Sequence, residues 1–144
     1  MQLNLWLREN RKRITDRWRA RIRAREGRRG EDSDGFLGIF CETLVSFLPH
    51  CLGRDREEAE EAWDQASHLF GSFGLRRGLA AGEVVEDMEL LREEILRLLM
   101  EAPPGDWSVR SFQLDVLALN QVLDAGVVRA SVAYVDDLFF LHLQ

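Results

Sequence analysis

A chain of 144 residues with 46% hydrophobic and 31% charged residues has the size of one soluble domain with its own core and is too apolar for disorder. Its net charge of −6 is unevenly spread, +8 over residues 1–30 and −14 over the remainder. Cys41 and Cys51, ten positions apart, read as buried thiols rather than a disulfide framework.

The N-terminus places the apolar patch Leu3, Leu5, Trp6 and Leu7 ahead of the arginines, the reverse order of a secretory signal. Residues 2–26 are predicted to form a first helix, with Leu3, Leu7, Ile14, Trp18 and Ile22 on one narrow apolar stripe that Arg11 interrupts. Gly27 to Gly35 holds three glycines and no large apolar residue, so a loop is expected there. A second helix starts near Asp34, a good N-cap. Phe36, Ile39, Phe40, Leu44, Phe47 and Leu48 surround most of its circumference, which predicts a central, buried helix ending at Pro49. The stretch Phe36–Leu48 contains Glu42 and is too short to cross a bilayer. A cytoplasmic protein with no membrane span is expected.

A third helix is predicted from about Arg54 to Phe73, its first turns acidic at the positive end of the helix dipole. Ala59, Ala62, Trp63, Ala66, Phe70 and Phe73 form its inner face, and Gly71, Gly74 and Gly78 blur its end. Residues 78–100 open with a start signal, after which Val84, Val85, Met88, Leu91, Ile95, Leu98 and Leu99 follow helical spacing closely, until Pro103, Pro104 and Gly105 stop the fourth helix. From Val109 onward one long helix is predicted, with a kink allowed at Gly126. Phe112, Val116, Leu119, Leu123 and Val127 form one apolar run; Val128, Val132, Val135, Leu138 or Phe139, and His142 form a second. Its last residues are apolar and carry no stop signal. The fold class is therefore all-α: one domain over 1–144, a compact bundle of five to six helices with a long C-terminal helix. Globin-like and plain bundles both remain open.

Chemistry-bearing motifs are sparse. The arginines of the first helix either pair with the acidic remainder of the chain or bind nucleic acid, and no DNA-binding motif accompanies them. His50, Cys51, Cys41, His68 and His142 lack the clustered spacing of a zinc site. No cofactor is expected; His68 as a haem ligand in a globin-like bundle is the alternative. Ser67 and His68 are adjacent on a helix and point apart, so they form no nucleophile–base pair. The glycines follow no strand and lack a phosphate-loop ending. A non-enzymatic protein is expected.

Residue order carries more than composition. Gly78, Glu83, Val84, Val85, Asp87, Leu91 and Arg92 resemble, in their order, a motif of the RsbRD N-terminal sensor family, which heads stressosome co-antagonists and some sensor histidine kinases. Ile14-Thr15-Asp16-Arg17-Trp18 resembles that family's opening, and Leu119-Asn120, Leu123-Asp124, Ser131-Val132 and Tyr134 resemble its closing helix. Family members often carry a His, and an Arg four residues later, just before the glycine; here those positions are Phe70 and Gly74, with His68 and Arg76 two residues away. The resemblance implies a dimeric input domain whose last helix relays a conformational change to a downstream kinase or STAS-type domain. The expected dimer and output face is Val128, Val132, Val135, Leu138 and Phe139, suited to a parallel helix pair. Trp18, Gly78, Asp87, Leu91, Arg92 and Tyr134 are the motif residues, with Arg92 expected to reach a carboxylate on a neighbouring helix.

Overall fold

In a computed structural model, residues 2–26 and 34–143 are described. They form six helices and no strand: α1 (Gln2–Glu9), α2 (Arg11–Glu26), α3 (Asp34–Cys51), α4 (Arg56–Arg76), α5 (Ala81–Glu101) and α6 (Val109–Leu143). The predicted first helix is two, because the chain turns at Asn10. There the backbone N–H and the side-chain amide of Asn10 both donate to the Trp6 carbonyl, at 3.0 and 2.9 Å, a local competition of the kind that weakens helix continuity. The turn lets α1 bury Leu3, Trp6 and Leu7 while α2 buries Ile14, Trp18 and Ile22. The loop predicted at Gly27 to Gly35 lies outside the described residues except at its end, where α3 begins; the proposed cap at Asp34 lies outside the described side chains.

α3 departs from its predicted burial. Its inner face is Leu37, Cys41, Leu44, Val45 and Leu48, whereas Phe36 and Ile39 are more than half exposed. Phe36 instead leans on Phe73 and Phe40 stacks on Phe73, with ring centroids at 6.2 and 4.9 Å. The helix also passes Pro49 to end at Cys51. Gly71 and Gly74 lie inside α4, and Gly78 (φ +78°) ends it. The Gly78 N–H donates to Leu75 O and the Leu79 N–H to Gly74 O, both at 3.0 Å, the paired bonds of a Schellman turn that favours glycine at the left-handed position. At the start of α5 the Glu83 carboxylate accepts the Ala80 N–H at 2.9 Å.

α4 and α6 run parallel and touch along small residues. Trp63 Nε1 donates to Val122 O at 2.9 Å, and further along the same direction Gly71 lies against Ala130. A Cβ on Gly71 would stand 2.0 Å from Ala130 O, and one on Gly126 would stand 2.8 Å from the Trp63 ring. Gly126 thus makes room for an indole, and α6 passes it without interruption. α2 and α5 run antiparallel, since Arg17 meets Glu101 and Arg25 meets Glu83. The buried core takes residues from all six helices.

Candidate functional site

The arginine helix lies along the acidic side of α5. Arg17, Arg21 and Arg25 are four residues apart and so share one face of α2. Arg17 Nε and Arg21 Nη1 grip the two oxygens of the buried Glu94 carboxylate at 3.0 and 2.7 Å. Arg17 also reaches Glu101 at 2.8 Å, and Arg21 reaches Glu93 at 3.3 Å. Glu101 is the main cause that raises Arg17 above its usual range, and Glu94 the main cause for Arg21. The Arg17–Glu101 pair is solvent-facing and contributes little. Glu94 is different, because a buried carboxylate deprived of its partners is costly.

The zipper ends in a buried cluster at the junction of α2, α4 and α5. Arg25 Nε donates to Asp87 Oδ1 at 3.0 Å and Nη1 to Glu83 at 2.9 Å. Glu26, next to it, pairs with Arg77 just beyond α4. Asp87 is fully buried, and burial pushes its carboxyl up to about 6 although Arg25 and Arg77 pull it down. Burial likewise lowers Arg77. Among the described residues Asp87 Oδ2 and Arg77 Nε have no hydrogen-bond partner.

The motif residues meet along α5. Trp18 Nε1 donates to the Asp87 carbonyl at 2.7 Å. Arg92 reaches across to α6, donating to Asn120 Oδ1 at 2.7 Å and pairing with Asp124. Tyr134 donates its hydroxyl to Leu79 O at 2.6 Å, next to Gly78. Leu91 is core. Separate in sequence, Trp18, Arg92 and Tyr134 thus tie α5 or its entry turn to α2 and to α6. Glu94 was missed, because its position on the apolar face shows only once α2 is docked there.

α6 has two apolar faces. At 100° per residue, Val128, Val132, Val135 and Phe139 fall within an arc of about 60°, opposite the buried Gly126, Ala130 and Ala133. All four are exposed, between 42% and 65%, with Leu138 at the edge of the stripe. From Leu138 to Leu143 every side is exposed. α6 is also long and apolar enough to cross a bilayer by length and composition, with a third of the relevant window buried inside the fold. Phe36–Leu48, the apolar stretch that stands out in the sequence, does not reveal this property of α6. Asp115, Asp124 and Arg129 along α6, with Asp115 buried against Trp107, suit a helix packed in a bundle.

His68 lies on the outer surface of α4, in an open depression of about 520 Å³ with Glu61, Asp64 and Arg129. Its neighbour Ser67 points inward and is fully buried. Phe70 and Gly74, the positions where His and Arg occur in the resembling family, are packed: Phe70 against Trp18 with centroids at 5.8 Å, and Gly74 where a Cβ would stand 2.4 Å from Val84. Cys41 and Cys51 are buried, and burial drives the Cys51 thiol up to about 12. Among the described residues no group of three His, Cys, Asp or Glu side chains is placed to hold a metal ion. No family model matches this chain, and no curated protein and no solved structure matches it.

Proposed function

We propose that this chain is a non-enzymatic input domain that pairs with a second copy of itself through α6 and passes a conformational change along that helix to an output partner. The observation that carries the reading is the outer stripe Val128, Val132, Val135 and Phe139, apolar and exposed on the side of α6 that the bundle does not use. Each is about half exposed, so burying the rest contributes about 1 kcal/mol per side chain and about 8 kcal/mol from two copies. That falls within the roughly 4–15 kcal/mol that association costs. The exposed overhang Leu138–Leu143 supplies the surplus. Arg92, which ties α5 to α6 through Asn120 and Asp124, supports the relay: a shift of α5 is felt on the helix that pairs. The order of motifs that resembles the RsbRD sensor domains points the same way.

Light scattering on the purified chain and on a V132D/V135D variant tests the pairing. The wild type is expected at twice the 16.6 kDa of one chain, and the variant at one, with unchanged helical circular dichroism. Burying four unpaired carboxylates weakens such an interface by at least about 100-fold. A wild type that stays monomeric at high concentration refutes the pairing.

A further inference from the structure

The outer face of α6 carries a regular spacing. Leu114, Gln121, Val128 and Val135 stand seven residues apart, and Ala125, Val132 and Phe139 follow the last three at four residues. All seven are exposed. Such spacing makes the two seam rows of a two-stranded helix pair. Asp124 and Arg129 border those rows on opposite sides. Asp124 lies towards α5, where Arg92 holds it, and its side chain is still 66% exposed. Arg129 lies towards α4, 3.9 Å from Asp64, with its side chain 51% exposed. At that distance it is an ion pair without a hydrogen bond. Both charged groups therefore have room for a further partner on the side that faces away from the bundle.

Given the α6 pairing proposed above, on which this rests, we infer that the two copies lie parallel and in register, with Asp124 of each chain bound to Arg129 of the partner subunit. In a parallel pair, a residue bordering one row faces the partner's residue five positions further on, and opposite charges there set orientation. Asp124 and Arg129 are five positions apart, so the contact forms twice. Each contact extends a line of alternating charge: Arg92 and Asp124 of one chain, then the partner's Arg129 and the partner's Asp64. That line joins α5 of one copy to α4 of the other, a route by which a shift of α5 reaches the second chain. Gln121 selects the same register. It is the one polar residue in the two rows, and in the parallel pair it meets the partner's Gln121, where each amide can donate and accept. An antiparallel pair that kept the two Gln121 side chains together would set Val132 against Arg110. It would also carry Val135 and Phe139 past the start of the partner's α6 at Val109. Any other register buries Gln121 against an apolar side chain, and a buried amide without a partner is costly.

Two measurements on the intact chain test this. Leu114 and Val135 lie about 32 Å apart along the helix. Leu114→Cys and Val135→Cys, made separately, are both expected to give disulfide-linked dimers under mild oxidation. The wild type, whose Cys41 and Cys51 are buried, is the control. An antiparallel pair brings at most one of the two positions onto its own copy. The second measurement is the dissociation constant by analytical ultracentrifugation. Asp124→Arg and Arg129→Asp each set like charges across both contacts and are expected to weaken pairing by about tenfold or more. An equimolar mixture of the two variants restores opposite charges at both contacts and is expected to form heterodimers near wild-type affinity. A monomeric wild type overturns the pairing itself, and this register with it. A dimeric wild type overturns the register alone if only one or neither cysteine variant cross-links, if Arg129→Asp pairs as tightly as the wild type, or if the mixture gains nothing over the single variants. The cross-links and Arg129→Asp decide without Asp124→Arg, so a failure of that variant to fold does not spare the proposal.

Discussion

Replacing Gly71 with Ala tests the contact that places α6. The added methyl would stand 2.0 Å from the Ala130 carbonyl oxygen, 2.7 Å from its carbon and 2.8 Å from its Cα. All three are backbone atoms, so no side chain can rotate away. The two helices must part by roughly 1 Å or more at the crossing, since carbon contacts settle near about 3.5 Å. Overpacking of a filled core costs about 1–3 kcal/mol, and rigid backbone on the far side puts this case at the upper end. Alanine regains about 1 kcal/mol of helix propensity, leaving a net loss of about 2 kcal/mol. Gly82→Ala is the matched control: it lies in the exposed first turn of α5 and its Cβ would meet nothing within 4 Å, so a gain of about 0.5–1 kcal/mol is expected. Urea unfolding followed by circular dichroism reads both. At an m-value of about 2 kcal/mol/M the Gly71 variant's midpoint falls by about 1 M. A Gly71→Ala protein as stable as the wild type, alongside a stabilised Gly82→Ala, would refute the close parallel packing of α4 and α6.

Asp87 makes a signed prediction for stability. Its folded pKa is raised from 3.8 to about 6, so the folded protein binds the proton more tightly than the unfolded chain. The stability this gives is full below about pH 4 and is lost as pH rises through about 6. At about 1.4 kcal/mol per pH unit the loss is about 3 kcal/mol, so unfolding free energies of Asp87→Asn relative to wild type should climb by roughly that amount between about pH 4 and about pH 7; a constant difference would contradict it. Arg92→Met keeps the stem and removes the guanidinium that binds Asn120 and Asp124. Because Asp124 is well exposed, the expected cost in urea unfolding is only about 1 kcal/mol, and a loss above about 3 kcal/mol would mean that the bridge carries more than its geometry implies.

Helical class, the approximate bounds of α4, α5 and α6 and the inner face of α5 were legible because their large apolar residues repeat at helical spacing. The break at Asn10 was not, since it rests on one side-chain amide sharing a carbonyl with the backbone. The exposure of Phe36 and Ile39 was not, since an apolar circumference says nothing about how many neighbours a helix will find. The charge split between the first 30 residues and the rest was plain, and the alignment of Arg17, Arg21 and Arg25 with α5 gives it a structural outlet. That Asp87 and Glu94 would be the buried members could not be read from the chain: acidic residues at intervals of seven look solvated until a basic helix is laid over them. Arg92 was singled out as a charge within a good helix, and its partners Asn120 and Asp124 stood in the closing motif, but only the fold shows that they meet.

The hardest element to read was α6, and the reason bears on what it does. A helix lying on a globular bundle normally turns its large apolar residues inward and its polar ones outward. α6 does the reverse over its C-terminal half. Gly126, Ala130 and Ala133 face α4, where smallness lets the backbones approach, while Val128, Val132, Val135 and Phe139 face solvent. Residue size alone would mark the wrong face as the core; it is the separation of Val128, Val132 and Val135 from the run Leu119, Leu123 and Val127 that marks a second stripe in the sequence. The inner face is already closed by backbone contact and has no room for those branched side chains, so no rotation of α6 within one chain would bury them. Their burial requires a second apolar surface from outside the bundle. A copy of the same helix presents one of matching length and spacing, which is the physical ground for the proposed pairing.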